Sequence, residues 1–159
     1  MRDLRIDEAA WSAANAARRA EWRTVIDDLL EDGDFASRLQ GRYGLVTVAT
    51  DDVHFEFLDD DGFVVETISL PVPLLRPRID EYLAVIRRLD EGAGHRESSW
   101  IESVDMAKKV IHDGAARALI AAAPSFAADH DTGRLLFSLV VSLLVDTTKL
   151  AHAHGHRRA

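Results

Sequence analysis

Cysteine is absent from this chain of 159 residues. The chain therefore has no disulfide bond, no thiolate nucleophile and no cysteine-ligated zinc site, which is typical of proteins in a reducing cytoplasm. The start, MRDLRIDEAA, lacks the apolar stretch of a secretory signal. The longest apolar run, Leu135–Val145, is too short to span a bilayer and contains Ser138 and Ser142. We therefore predict a cytoplasmic protein with no membrane contact.

The chain also lacks an excess of basic residues. The chain has 27 acidic against 19 basic residues and a formal net charge of -8. A phosphate backbone would meet net repulsion from such a chain. Nucleic acid is therefore excluded as an expected partner.

The composition and length predict one domain over residues 1–159, because 47% of the residues are hydrophobic and can bury a core of ordinary size. Within it we expect an N-terminal helix in residues 1–33, a β-meander in 42–70, a helical part in 78–153 and a frayed tail in 154–159. A short alternating segment, Leu4 to Ile6, is compatible with an edge strand before the first helix.

Three segments in the middle of the chain alternate or are rich in β-branched and aromatic residues, and acidic turns separate them. They predict a three-stranded antiparallel meander packed against about four helices, which is an α+β fold. In the middle strand Val53, Phe55 and Phe57 point to one face, and we expect that face to meet the helices. His54 and Glu56 should then lie on the opposite, wetter face, or line a pocket if another segment covers that face.

The proline-rich stretch PVPLLRP, residues 71–77, predicts a rigid connector before a helix that runs from about Arg78 to Leu89. The last helix contains LLFSLVVSLLV, in which apolar residues surround the helix instead of forming one stripe. Such a helix must be covered on nearly all sides, so the pattern predicts association with a protein partner, as a homo- or hetero-oligomer.

The segment from Trp100 to Ala118 carries the candidate site. Asp105, Lys109 and His112 are spaced i, i+4 and i+7, which places them on one side of a helix, with Lys108 and Asp113 close by. Such a face can hold an anion or transfer a proton. The alternative is a solvated face, on which Asp105–Lys109 and Lys109–Asp113 form i,i+4 ion pairs of a few tenths of a kcal/mol each.

Three alternating histidines near the C-terminus, His152, His154 and His156, have the donor atoms for a divalent metal. They lie at a chain end beside Gly155, where no fixed outer shell is expected. We therefore predict adventitious metal binding there, and neither a physiological metal site nor a cofactor.

Four motifs together resemble the bacterial uncharacterised protein family 0262, and they span nearly the whole chain. They are IDEAAW…RAEWRTVIDDLLEDGDF, ISLPVPLLRPRIDEY, VDMAKKVIHDG and DHDTGRLLF. The resemblance implies that the family-like residues are Asp105, Met106, His112, Asp129, Thr132, Arg134 and Phe137. Of these, Met106 and Phe137 are expected in the core.

In character the chain also resembles orphan subunits of the heteromeric enzymes that form aziridine rings in azinomycin-type antibiotic biosynthesis. That analogy implies intramolecular displacement of sulfate by an amine. Such a reaction needs a base for the amine, cations for the departing anion and a pocket that orients both, without a cofactor. The candidate base residues are Asp105, His112 and Asp113, and the candidate anion-binding residues are Lys109, Arg134 and Arg76.

Two functions therefore remain open from the sequence. The first is a small enzyme, or one subunit of a heteromeric enzyme, that acts on a charged small molecule. The second is a non-catalytic protein that stabilises a partner, with its interface on the Leu135–Val145 helix and the EGAGH segment. The surroundings of His112 distinguish them, because a cleft with basic residues favours chemistry, whereas an exposed or fully packed imidazole favours binding.

Overall fold

The computed structural model describes residues 1–91 and 98–150 as an α+β fold. Its strands are β1 (Asp3–Ile6), β2 (Tyr43–Val48), β3 (Asp52–Leu58) and β4 (Val64–Pro71). Its helices are α1 (Glu8–Ala13), α2 (Ala16–Asp32), α3 (Val72–Glu91), α4 (Ser98–Ala122) and α5 (His130–Leu144). The predicted frayed tail with its histidines, and all but the first residue of EGAGH, lie outside the described residues.

The antiparallel meander of β2, β3 and β4 is confirmed, but the sheet has a fourth strand. β1 pairs in parallel with β2, with Arg5 opposite Leu45, and the strand order is β1-β2-β3-β4. A prediction of three strands was therefore one too few. Two parallel strands must be joined by a long crossover connection, which here contains α1 and α2. The strand that pairs with β1 is therefore far away in sequence.

The phenylalanine face of β3 is confirmed as the core face of the sheet. Val53, Phe55 and Phe57 are fully buried. His54 and Glu56 point the other way and are half-buried, as strand alternation requires.

The predicted N-terminal helix is interrupted near its start, which is one reason why five helices replace about four. Ala14 is extended and ends α1, and the side chain of Asn15 then caps α2 by accepting a hydrogen bond of 2.9 Å from the backbone N–H of Arg18. Asparagine is a favoured N-cap because its oxygen satisfies an N–H group that the first turn leaves without a helical acceptor.

The proline-rich connector is helical, contrary to the sequence prediction. α3 begins at Val72 and runs through Pro73 and Pro77. Pro73 lies in the first turn, where its missing N–H costs nothing, and Pro77 removes one helical hydrogen bond near the helix start. The backbone N–H of Val72 is itself satisfied by the carbonyl of Asp51 at 2.8 Å.

The last helix does not need a partner to cover it, which corrects the reason given for association. Leu139 and Val140 are fully buried within the single chain, because α2 and α4 pack on α5. Gly133 permits this close packing, since a Cβ there would lie 2.8 Å from the side chain of Ile120.

Of the two family-like apolar residues, one is in the core and one is not. Phe137 is fully buried, as predicted. Met106 is 63% exposed, so its expected core position is wrong. Met106 lies on the side of α4 that faces away from the core, whereas Val104 and Lys108 lie on the buried side.

Candidate functional site

A cleft of about 570 Å³ lies over α5, between a wall from α2 and a wall from α4. The α2 wall presents Glu21, Val25, Asp28 and Asp32, which are spaced i, i+4, i+7 and i+11 along one helix face. The α4 wall presents Lys108, Lys109 and His112, and α5 adds Arg134 and Ser138. One wall is therefore acidic and the other is basic.

His112 is held by aromatic packing. Its ring meets Tyr82 of α3 at 5.0 Å and Phe137 of α5 at 5.4 Å between centroids, both edge to face, with interplanar angles of 77° and 89°. The imidazole is half-buried and lines the cleft. Packing of this kind fixes the orientation of a ring, so the imidazole is presented to the cleft in one direction.

Arg134 is positioned by Asp113, which lies behind it. Asp113 Oδ1 is 3.6 Å from Arg134 Nε and accepts a hydrogen bond of 3.2 Å from His130 Nε2. The hydrogen bond from His130 and the positive charges of Arg134, His130 and Lys109 lower the pKa of Asp113. The carboxylate is thus kept ionised and holds the guanidinium at the cleft.

Asp129 and Thr132 have a structural role at the start of α5. The Asp129 side chain accepts a hydrogen bond of 2.8 Å from the backbone N–H of Thr132, which caps the helix. Hydrogen bonds from the side chain and the backbone of Thr132 lower the pKa of Asp129. The Thr132 hydroxyl accepts a 2.7 Å bond from the backbone N–H of Asp34. These contacts fasten the segment after α2 to the floor of the cleft.

Lys108 is the cleft residue that sequence reasoning placed only beside the site. Its side chain lines the cleft, although the residue is only 4% exposed, and its Nζ lies 6.0 Å from the centre of the Tyr82 ring. Burial lowers the pKa of the Lys108 ammonium, and the charge of Asp105 partly opposes that shift. The sequence did contain a signal for its burial. Lys108 lies four residues after Val104 and seven residues before Ala115, which are both buried, so the three residues share one helix face.

Glu21 was missed altogether. It is buried on the α2 wall, and its Oε1 accepts a hydrogen bond of 2.6 Å from the Thr147 hydroxyl. It lies four residues before Val25, which is buried on the same helix, and that spacing was a usable signal. Its meeting with Thr147, 126 residues later, had no local signal.

The structure brings together three of the six predicted site residues, namely Lys109, His112 and Arg134, which all line the cleft. Asp113 contacts Arg134 from behind, and Asp105 lies outside the lining, where its charge acts on Lys108. Arg76 is apart from the cleft, in a separate depression lined also by Thr50, Asp51, Val72, Pro73, Pro77 and Asp80. The carboxylates that face the cleft come instead from α2 and the start of α5.

Within residues 1–91 and 98–150, no three His, Cys, Asp or Glu side chains are grouped so that they could hold a metal ion. In the same part of the chain, no helix has the length and apolar character that crossing a bilayer requires.

Comparison with known proteins supplies the identification. The model of the uncharacterised protein family UPF0262 matches residues 1–146. The chain belongs to this family. A UPF0262 protein of Sphingopyxis alaskensis is 29% identical over 148 residues, which cover 88% of this chain and 90% of that protein. A UPF0262 protein of Rhodospirillum rubrum is 26% identical over 144 residues, with 89% of each chain covered.

A UPF0262 protein of Novosphingobium aromaticivorans is likewise 29% identical, over 152 residues that cover 88% of this chain and 93% of the relative. No solved structure matches this chain. The names of the UPF0262 relatives state no activity, and none of them supports the analogy with aziridine-forming enzymes. Function must therefore be argued from the cleft.

Proposed function

We propose that this UPF0262 chain is a small cytoplasmic enzyme, or an enzyme subunit, that acts by acid–base chemistry on a small molecule carrying both an amine and an anionic group. One observation carries the proposal: His112 lies in a cleft whose two walls have opposite charge. A concave site with a few convergent polar groups is the usual form of a small-molecule site. The absence of cysteine agrees with a cytoplasmic location.

His112 is the proton-transfer group in this proposal. Imidazole has an ordinary pKa near neutrality, so it can both accept and return a proton in one reaction cycle. Its ring is fixed by Tyr82 and Phe137. A fixed base needs less reorganisation when the proton moves.

The anionic group of the ligand is assigned to Arg134 and Lys109. Arg134 presents a planar guanidinium that Asp113 orients from behind, and guanidinium groups bind carboxylate, sulfate and phosphate through paired hydrogen bonds. The amine of the ligand is assigned to the carboxylates of Asp28 and Asp32 on the α2 wall. The ligand would then lie across the cleft, with its reacting atoms near His112.

Displacement of sulfate by an amine is one reaction that such a cleft could accommodate. The comparisons lend no support to aziridine-ring formation, so we propose only the reaction class, with a charged substrate, His112 as the base, and Arg134 and Lys109 as the anion site.

Replacing Arg134 by alanine tests the binding part of the proposal. A ligand-observed NMR screen of charged small molecules, including sulfated and phosphorylated amines, should detect binders of the wild-type chain. Arg134→Ala should weaken their binding about ten- to a hundredfold, because one charged hydrogen-bonding group contributes about 1.5–3 kcal/mol.

Arg76→Ala is the matched control, since it removes the same guanidinium from outside the cleft. It should leave the dissociation constants unchanged. Equal weakening in both variants would indicate a general effect of net charge and would contradict the assigned anion site.

As a second candidate, we propose a role as a partner in a protein assembly, with a second copy of this chain as the partner. Met106 and Val110 support it, because they lie one turn apart on α4 and are 63% and 62% exposed. A twofold axis would place the same apolar pair of each copy in contact. Sedimentation velocity should show a dimer that Met106→Glu dissociates, whereas a strict monomer at high concentration would contradict this candidate.

A further inference from the structure

Lysine is rare in this chain, and its distribution is uneven. There are three lysines, Lys108, Lys109 and Lys149, against sixteen arginines. Two of the three lysines line the cleft. Arginine keeps its proton under all ordinary conditions, whereas a buried lysine can become a neutral amine. A chain that otherwise uses arginine for positive charge thus has its two neighbouring lysines at the cleft.

The setting of Lys108 suits a nucleophilic amine. The residue is 4% exposed and still lines the cleft, so little water competes for it while a small ligand can reach it. The Tyr82 ring lies beside Nζ, and His112 is one helical turn further along the same face of α4. Its pKa is lowered by burial, which raises the fraction of free amine at neutral pH.

We propose that Lys108 forms an iminium with the carbonyl carbon of a small 2-oxo acid, whose carboxylate is bound by Lys109 and Arg134. The inference rests on the proposed function for its anion site alone. It goes beyond that function by naming a carbonyl substrate that needs no amine of its own, because Lys108 supplies the nitrogen. A 2-oxo acid fits because its carbonyl carbon is directly bonded to its carboxylate carbon. The electrophile and the anion therefore need partners in the same cleft, and Lys108, Lys109 and Arg134 all line it.

The step balances with the groups named. The lone pair of the neutral Nζ attacks the carbonyl carbon, and one of the two Nζ protons passes to the carbonyl oxygen, which becomes a hydroxyl group. A second proton, from protonated His112, lets the hydroxyl group leave as water, and the nitrogen keeps one hydrogen in the iminium. One neutral amine, one carbonyl and one proton from His112 are thus converted to one iminium and one water. The iminium acidifies the adjacent carbon, whose proton His112 can accept.

Borohydride trapping tests the proposal on the full-length protein. The chain is incubated with pyruvate, 2-oxobutyrate or 2-oxoglutarate and then reduced, which converts an iminium into a stable secondary amine. Intact-mass and peptide mass spectrometry should find one adduct, located at Lys108. Lys108→Arg and Lys108→Met should both lose it, and the second variant keeps an unbranched side chain of similar shape without the amine. Lys149→Arg should keep it, because Lys149 lies outside the cleft lining.

No adduct with any of the three acids, or an adduct spread over Lys149 and the N-terminal amine, overturns the inference. The same acids are also titrated without reductant, with Arg134→Ala as the comparison. If the acids bind and Arg134→Ala weakens that binding, but no adduct forms, the iminium is contradicted and the anion site is supported. No binding and no adduct overturns the inference and this class of ligand together, and the NMR screen then decides the proposed function on other charged molecules.

Discussion

Replacing Phe126 by alanine is expected to lower the free energy of unfolding by about 3–5 kcal/mol, the usual cost of truncating a buried phenylalanine. Phe126 is 1% exposed, and its ring centre lies 5.0 Å from Phe55, 6.1 Å from Phe35 and 6.3 Å from Phe57. It joins the turn after α4 to the core face of the sheet. This cost is a large fraction of the total stability of a folded domain, which is only about 5–15 kcal/mol.

Phe63→Ala is the control for this prediction. Phe63 is 71% exposed in the β3–β4 hairpin, so its truncation should change stability by no more than about 0.5 kcal/mol. Thermal and urea unfolding, followed by circular dichroism, measure both variants. A Phe126→Ala variant as stable as the wild type would mean that the turn does not pack on the sheet.

Replacing His112 by glutamine is expected to lower turnover in the cleft by about a hundredfold or more, the usual contribution of a general acid–base group. Glutamine is chosen because the imidazole packs between Tyr82 and Phe137. Alanine would leave a gap between these rings, whereas glutamine fills it and cannot carry the proton. The melting temperature should therefore fall by only a few degrees.

The measurement uses ligands identified by the NMR screen, incubated in deuterated water, with product formation and deuterium entry at carbon followed by NMR. His54→Gln is the matched control, since His54 lies on the other face of the sheet, hydrogen-bonded to Ser69 at 2.9 Å. It should leave the rates unchanged. Full activity of His112→Gln with a bound substrate would contradict the catalytic assignment.

The predictable part of the candidate site was its α4 wall. The i, i+3 or i+4 spacing in VDMAKKVIHDG placed Lys109 and His112 on one side of a helix, and the structure has them lining one cleft. Asp105 and Asp113 lie in the same segment but do not line the cleft. Sequence spacing gives the direction in which a side chain leaves its helix, but it does not show which other elements pack on that side. Met106 illustrates the same limit, since its apolar side chain faces outward.

The opposite wall could not be predicted from local pattern. Glu21 reaches the cleft only because α5 packs against both α2 and α4. Arg76 had the right charge for an anion site, but α3 begins earlier than predicted and carries it to another depression. Charge along the sequence does not say which helices will be neighbours.

The sequence by itself determined the α+β class, the meander and the buried face of Val53, Phe55 and Phe57. Those features follow from side-chain periods of two and 3.6 residues, which are set by the backbone within each element. Only the tertiary structure decided that β1 joins β2, that α5 is covered by its own chain, and that acidic and basic walls enclose His112. Each of these depends on contacts between segments far apart in sequence, where packing of whole faces selects the neighbours.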